Sequence, residues 1–194
     1  MQNKRSIGYI IGGVFVLLAL YGIFTYNGFI KKEEKVNNQW AEVQNAYQRR
    51  LNLVPNLVST VQGGASFESG VLEQIAEARS KASSVTVNQP DSETNNRQLA
   101  AQNELAMATN QLIARVERYP ELKGTKAFAG LQVQLEGTER RIKVARKDFN
   151  ESVQVYNTAI KTFPANIIAS LFGFTPKDGF EASEGAEKAV EIKF

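Results

Sequence analysis

Side chains capable of catalysis at neutral pH are few in this sequence. Its 194 residues include neither histidine nor cysteine, so the usual acid–base group, the commonest metal ligand and every thiolate nucleophile are missing. No carboxylates stand at the spacing of a catalytic pair or a metal site. The glycines of "QGGASFESG" at 62–70 lack the Lys-Ser/Thr of a phosphate-binding loop. The sequence therefore predicts no catalytic residue, no metal site and no cofactor.

One group of charged residues is a candidate polar cluster, because each member adjoins a predicted helix contact. The group is Arg49, Arg50, Glu68, Glu139 and Arg146. In one interpretation the cluster binds an anion or a partner carboxylate. In the other, which we favour, its members form interhelical ion pairs that fix the register of a helical bundle.

A basic run continues from this cluster along one predicted helix. Its members are Arg140, Arg141, Lys143, Arg146 and Lys147. Phospholipid headgroups or an acidic partner are candidate ligands, but Glu136 and Glu139 each precede a basic residue by four positions, which favours pairing along the helix. We expect a solvated, partly paired face. The net charge is only +3 and aromatic residues do not interleave, so no nucleic-acid partner is predicted.

An uncharged run at 7–24, "IGYIIGGVFVLLALYGIF", is close to the ~20 residues that cross a bilayer. Its apolar members include Ile7, Val14, Leu18 and Phe24. A cleaved signal peptide is the alternative, but bulky side chains occupy the candidate cleavage positions. The sequence predicts a tail at 1–6 and an uncleaved single-pass anchor in the cell membrane at 7–26. Positive charges nearly balance across the span, so the side that holds the remaining domain stays open.

From residue 29 onward, apolar residues recur at steps of three and four, the pattern of helices with one buried face. Predicted helices cover 29–61, 67–85, 92–118 and 125–163, with the first rising out of the membrane helix. The fold class predicted is all-α: an elongated antiparallel helical bundle of three to four long, coiled-coil-like helices behind an N-terminal transmembrane helix. The bundle domain is assigned to 29–174. The acidic tail at 175–194 is expected to be loose or added at an edge.

Pro55 lies in the middle of the first apolar stripe. A proline inside a helix removes one backbone hydrogen bond and crowds the carbonyl of Leu51, at a cost of about 3 kcal/mol. Because the stripe stays in phase on both sides, we predict a helix kink at Pro55 rather than an end. A static bend is favoured over a hinge that moves in function.

The stretch "FPANIIASLFGF" at 163–174 predicts a short, strongly apolar helix. It supplies a candidate interaction surface of Ile167, Ile168, Leu171, Phe172 and Phe174. This surface would insert at a membrane interface or bind a neighbouring subunit. The alternative is a cap over the end of the bundle core.

Three stretches together resemble the LemA family. They are "QWAEVQNAYQRRLNLVPNLVSTVQGG" at 39–64, "YPELKGTKAFAGLQVQLEGTERRIKVARKDFNESVQVYNTAIKTFP" at 119–164 and "GFTPKDGFE" at 173–181. The resemblance implies a bacterial single-pass membrane protein with a helical bundle and no established enzymatic activity. Family members are often encoded near membrane metalloproteases, which implies a link to envelope protein quality control. Asn52 replaces the usual Asp, and Phe67 beside Glu68 replaces a frequent His-Glu pair, so no metal site is expected there.

We therefore predict a membrane-anchored interaction or scaffold module that is not an enzyme. Its expected partners are the lipid bilayer, further copies of itself, and a membrane protease or other envelope proteins. Tethering to one surface raises effective concentration and favours homo-oligomers. One alternative is a metal-dependent or hydrolytic enzyme hidden in the bundle, which would need inward carboxylates that the stripes lack. Another is a membrane sensor hinged at Pro55, which no second signalling domain supports.

Overall fold

The computed structural model describes residues 2–63, 69–85 and 91–181. Within those ranges the chain is helical and contains no strand. The helices are α1 (Gln2–Gln62), α2 (Ser69–Ser84), α3 (Ser92–Val116), α4 (Pro120–Lys123), α5 (Lys126–Lys161) and α6 (Ala165–Phe172). The prediction of an all-α helical bundle is confirmed.

The chain divides into two compact units. The first unit comprises Met1–Gln39 with Glu151–Lys177, and the second comprises Trp40–Asn150 with Asp178–Phe194. The domain boundaries predicted at 7–26, 29–174 and 175–194 stay predictions.

Helix α1 is continuous from the apolar N-terminal run into the bundle. It is long and apolar enough to cross a membrane, and none of its most apolar window is buried. The side chains of Val14, Leu18 and Phe24 are exposed. The helix also continues through Pro55, while a bend of its axis there stays a prediction.

The core of the second unit is built by apolar stripes from four helices. In α1, Leu51, Val54, Leu57 and Val61 are buried at steps of three and four. They share one cluster with residues of α2, α3 and α5, such as Ile75, Leu112 and Phe128. Burying side chains of this size stabilises a fold by about 1.5–3 kcal/mol each, which is enough to hold Pro55 inside α1.

Contacts along α1 fix the direction of its neighbour α5. Arg50 of α1 contacts Glu139 of α5, and Trp40, ten residues earlier, contacts Phe149, ten residues later. These two contacts show that α5 runs antiparallel to α1 in the second unit. The antiparallel direction places Arg50 opposite Glu139 and Trp40 opposite Phe149.

The beginning of the predicted acidic tail is packed rather than loose. In the second unit Phe180 is buried and its ring lies 5.8 Å from that of Trp40 and 5.6 Å from that of Phe149. In the first unit the Tyr156 hydroxyl donates to the Thr175 carbonyl over 3.1 Å. The described part of the tail therefore corresponds to the edge alternative, while 182–194 lie outside the described residues.

Candidate functional site

The first unit places the end of α6 and the residues after it against α1, just beyond the apolar run at 7–24. The ring of Tyr26 lies 4.9 Å from that of Phe172 and 5.5 Å from that of Phe174, measured between centroids. Phe29 lies 5.1 Å from Phe174. All three pairs are edge-to-face, the arrangement that the charge distribution of aromatic rings favours. These contacts fix α6 beside α1.

The predicted interaction surface is split by this packing. Phe174 faces α1. Ile168 approaches Gly22, and its Cδ1 atom lies 3.8 Å from the position that a Cβ atom would take at Gly22. Ile167 and Leu171 point away, with 58% and 74% of their surfaces exposed. Phe172 contacts Tyr26 yet remains largely exposed. The set therefore forms one inner and one outer face.

The second unit brings together three members of the predicted polar cluster. Arg50 is only 3% exposed. Its Nη1 donates to the backbone carbonyl and to Oε1 of Gln102, over 2.8 and 3.1 Å. Its Nη2 donates to Oε2 of Glu139 over 2.5 Å. Arg50 thus ties α1 to α3 and α5.

Arg146 is the third member that the structure places at this site. Its guanidinium carbon lies 4.9 Å from the centre of the Phe180 ring, a cation–π contact. Arg49 is exposed and does not join the group, because it lies on the outer face of α1. Glu68 lies outside the described residues.

Tyr47 follows the apolar spacing of α1 and is buried like a core residue, but it also belongs to this site. The side chain is 2% exposed, and its hydroxyl has no hydrogen-bond partner among the described residues. Burial raises the pKa of Tyr47 above 10.0, and the nearby charges of Arg146 and Arg50 oppose the increase. The hydroxyl is therefore a protonated donor at neutral pH.

These residues open onto a groove of about 810 Å³ in the second unit. We call it the basic groove. Its charged lining consists of Arg50, Arg140, Lys143, Arg146 and Lys147 with Glu139 and Glu181. Tyr47 and Phe180 contribute to the wall. Cations outnumber carboxylates around it.

The two pairs expected along the basic run, Glu136 with Arg140 and Glu139 with Lys143, are not found among the described residues. Glu139 pairs with Arg50 instead of Lys143. Glu136 accepts a hydrogen bond from Nε2 of Gln132 over 3.2 Å. Glu139 thus contacts another helix, and Glu136 contacts an uncharged side chain of its own helix. In consequence, the basic groove keeps more positive charge than the sequence suggested.

Hydrogen-bond donors predominate over carboxylates in the lining of the groove. No cluster of three or more His, Cys, Asp or Glu residues able to hold a metal occurs in the part of the chain that the structure describes. Guanidinium, ammonium and phenol groups bind anions or hydrogen-bond acceptors. The groove is therefore able to bind an anion or another hydrogen-bond acceptor.

Comparison with known proteins assigns the chain to a family. A sequence model of the LemA family matches residues 39–194. This chain belongs to the LemA family. Similar proteins include magnetosome protein MamQ of Magnetospirillum gryphiswaldense, which is 23% identical over 187 residues, covering 87% of this chain and 69% of that protein. Protein LemA of Metamycoplasma hominis is 25% identical over 177 residues, covering 88% of this chain and 78% of that protein.

Membership of the LemA family confirms the resemblance drawn from the three motif stretches. The family match contains Tyr47, Arg50, Glu139 and Arg146, so the basic groove lies in the family domain. The apolar run at 7–24 lies before the matched residues. The family assignment thus accounts for the bundle and leaves the roles of both surfaces to be argued from their chemistry.

Proposed function

We propose that this LemA-family protein is a single-pass, membrane-anchored interaction module. In this proposal residues 7–26 of α1 cross the bilayer of the bacterial envelope, and α6 lies in the interface on the side where α1 leaves the membrane. The observation that carries the proposal is the packing of α6 against Tyr26 through Phe172, while Leu171 of the same helix is exposed.

Exposure along α1 supports membrane insertion. The large apolar side chains from Tyr9 to Phe24 are exposed, between 39% at Tyr21 and 82% at Tyr9. Left in water, a surface of this size is an aggregation hazard. Lipid would cover it, and each large side chain would gain about 1.5–3 kcal/mol on burial. Tyr21 and Tyr26 would then stand near the interface, where tyrosine is favoured.

The composition of α6 supports a lipid contact for its outer face. The helix sequence ANIIASLF contains no charged residue. Its outer face presents Ile167 and Leu171, and Phe163 just before the helix is also exposed. Since α6 packs directly on the apolar run of α1, this face continues the surface that lipid would cover. A neighbouring subunit is the competing occupant.

Single-cysteine labelling tests this arrangement cleanly, because the natural chain has no cysteine. We would place an environment-sensitive fluorophore at Leu171→Cys, with Asn110→Cys on the exposed face of α3 as the matched control. After reconstitution of the full chain into vesicles, emission at position 171 should shift to the blue and be quenched by spin-labelled lipid. Emission at position 110 should not change. A water-like spectrum at position 171 in vesicles would overturn the lipid assignment.

The proposal extends to self-assembly and to envelope partners. One span would tether every copy to the same surface, so weak lateral contacts gain from effective concentration. The family resemblance adds a link to a membrane protease and envelope quality control. Crosslinking in intact cells followed by mass spectrometry tests both points. Self-crosslinks and recurrent envelope neighbours are expected, whereas only monomers in crosslinking and in mass photometry of the detergent-solubilised protein would refute self-assembly.

A further inference from the structure

The basic groove contains buried donors that no described residue uses. The Tyr47 hydroxyl and the Nε atoms of Arg50 and Arg146 are buried and lack an acceptor. A buried donor without a partner destabilises the folded state, because it has lost its hydrogen bonds to water without replacing them. Tyr47 and Arg50 are only 2% and 3% exposed and both line the groove. Three such donors in residues that line one groove indicate an acceptor supplied by a ligand.

The charge at the groove points to an anionic ligand. Arg50 is already neutralised by Glu139. Among the described residues no carboxylate forms a salt bridge with Arg140, Lys143 or Arg146. These three residues line the groove from successive turns of α5. They leave it with more positive charge than a single carboxylate ligand would balance.

The dimensions of the groove indicate the size and type of ligand. Its volume of about 810 Å³ lies inside the range of about 300–1,000 Å³ that small-molecule sites occupy. Leu99, Ile142 and Phe180 give part of the wall an apolar character. Arginine guanidinium groups favour phosphate because two of their N–H bonds match two of its oxygens. A phosphate group with a small organic body would meet both the cations and the apolar wall.

We propose that the basic groove binds a phosphate group, either as the free ion or as an ester of a small organic molecule. Arg146 and the Tyr47 hydroxyl donate directly to the phosphate oxygens, and Lys143 and Arg140 hold the same group from the rim. Arg50 contributes its Nε atom while Glu139 and Gln102 keep it in place. The site belongs to the second unit and does not depend on the membrane proposal.

Calorimetric titration of the full chain in detergent tests this site. The probes are glycerol 3-phosphate, inorganic phosphate, glycerol and succinate, each at the same ionic strength. We expect the two phosphates to bind and glycerol to give no signal. If glycerol 3-phosphate binds more tightly than inorganic phosphate, the apolar wall contributes to binding of the organic body. If the two bind equally, the phosphate group alone accounts for binding. Failure of both phosphates at millimolar concentration, or equally tight binding of succinate, would overturn the proposal.

Matched variants separate a built site from general positive charge. Arg146→Gln should weaken binding of glycerol 3-phosphate at least about tenfold, as expected for loss of a charge-assisted hydrogen bond. Tyr47→Phe should weaken it about three- to tenfold while keeping the buried ring. Arg118→Gln removes the same charge from an exposed position outside the groove and should leave binding unchanged. Equal losses for Arg146→Gln and Arg118→Gln, or no loss in Arg146→Gln and Tyr47→Phe, would refute the site.

Discussion

Arg79 of α2 donates a hydrogen bond from its Nε atom to the backbone carbonyl of Leu51 in α1, over 3.2 Å. Leu51 stands four residues before Pro55, so its carbonyl is the one whose helical donor the proline ring removes. A side chain from the neighbouring helix supplies the missing hydrogen. Pro55 is thus tolerated for two reasons. The apolar stripe around it stays buried, and the Leu51 carbonyl, which lacks its helical donor, accepts a hydrogen bond from Arg79.

The first prediction concerns the coupling between Pro55 and Arg79. Arg79→Ala should lower the free energy of unfolding by about 1 kcal/mol in the natural sequence. Pro55→Ala restores the backbone donor and should stabilise the helix by up to about 3 kcal/mol. In the Pro55→Ala background, Arg79→Ala should then cost almost nothing. Denaturant unfolding of all four proteins in detergent measures this cycle, and equal costs in both backgrounds would show that the two residues are not coupled.

The sequence predicted that the helix continues through Pro55, but it did not predict the Arg79 hydrogen bond that occupies the Leu51 carbonyl. The apolar spacing stays in phase on both sides of Pro55, and Leu51, Val54 and Leu57, which follow this spacing, are all buried. Arg79 is an exposed residue with no pattern of its own. Its role depends on how α2 packs against α1, which the sequence pattern does not report.

Helix α3 shows the same limit in its first half. Its apolar stripe begins at Leu105, yet Asn95, Gln98 and Gln102 continue that spacing toward the N-terminus and are buried. Gln98 exchanges two hydrogen bonds with Gln44, over 2.7 and 2.9 Å. A search that allows amides at helical spacing would have found this stripe, whereas a search for apolar residues ends at Leu105.

The candidate sites were predictable only in part. The charges of Arg50, Glu139 and Arg146 adjoin predicted helix contacts, so their grouping could be proposed from spacing. The sequence did not indicate that Tyr47 lines the groove, because a tyrosine within an apolar stripe is interpreted as a core residue. Phe180 was missed because it follows the helices, in a segment without periodicity.

The second prediction concerns the ion pair of Arg50 with Glu139. Glu139→Gln leaves a buried guanidinium without its anion and should lower the free energy of unfolding. Arg50→Met removes both charge and hydrogen bonds. Because the Glu139 side chain is 45% exposed, we expect a coupling energy of about 1 kcal/mol, in the lower part of the range for contacting residues.

The matched control for this pair is Glu136→Gln, which removes an exposed carboxylate one turn earlier on α5. It should change stability little, since surface substitutions usually stay within about 0.5 kcal/mol. Denaturant titration of the single and double variants gives the coupling directly. If the effects of Arg50→Met and Glu139→Gln add within error, the contact contributes no stability.

The third prediction concerns stability at alkaline pH. Burial raises the pKa of Tyr47 in the folded protein above 10.0. The unfolded chain therefore releases this proton first as the pH rises, and the native state loses stability above about pH 10. The contribution is complete below that pH and falls until the folded pKa is passed.

Tyr47→Phe should remove this alkaline loss. The difference in unfolding free energy between the variant and the natural protein should stay constant below about pH 10 and then move in favour of the variant, by at most about 1.4 kcal/mol per pH unit. Lysine titration is common to both proteins and cancels in the difference. Parallel stability curves from about pH 8 to about pH 11 would show that Tyr47 ionises equally in both states.

The fourth prediction concerns Asn150, whose side chain pairs with the backbone of Phe180. Its Oδ1 atom accepts from the Phe180 amide over 2.8 Å, and its Nδ2 donates to the Phe180 carbonyl over 3.0 Å. Asn150→Ala removes both hydrogen bonds and should cost about 2 kcal/mol of unfolding free energy. Hydrogen exchange of the Phe180 amide should accelerate at the same time. Asn110→Ala, at an exposed position of α3, should change neither quantity.

Gly179 provides an independent way to disturb the same pairing. A side chain added at Gly179 would place its Cβ 2.8 Å from the Asn150 Oδ1 atom, closer than real contacts allow. Gly179→Ala should therefore lower stability and accelerate exchange of the Phe180 amide when Asn150 is present. In the Asn150→Ala background the clash is gone, so the added methyl should cost little. If Gly179→Ala costs the same in both backgrounds, the strain lies elsewhere than at the Asn150 side chain, since coupled neighbours must deviate from additivity.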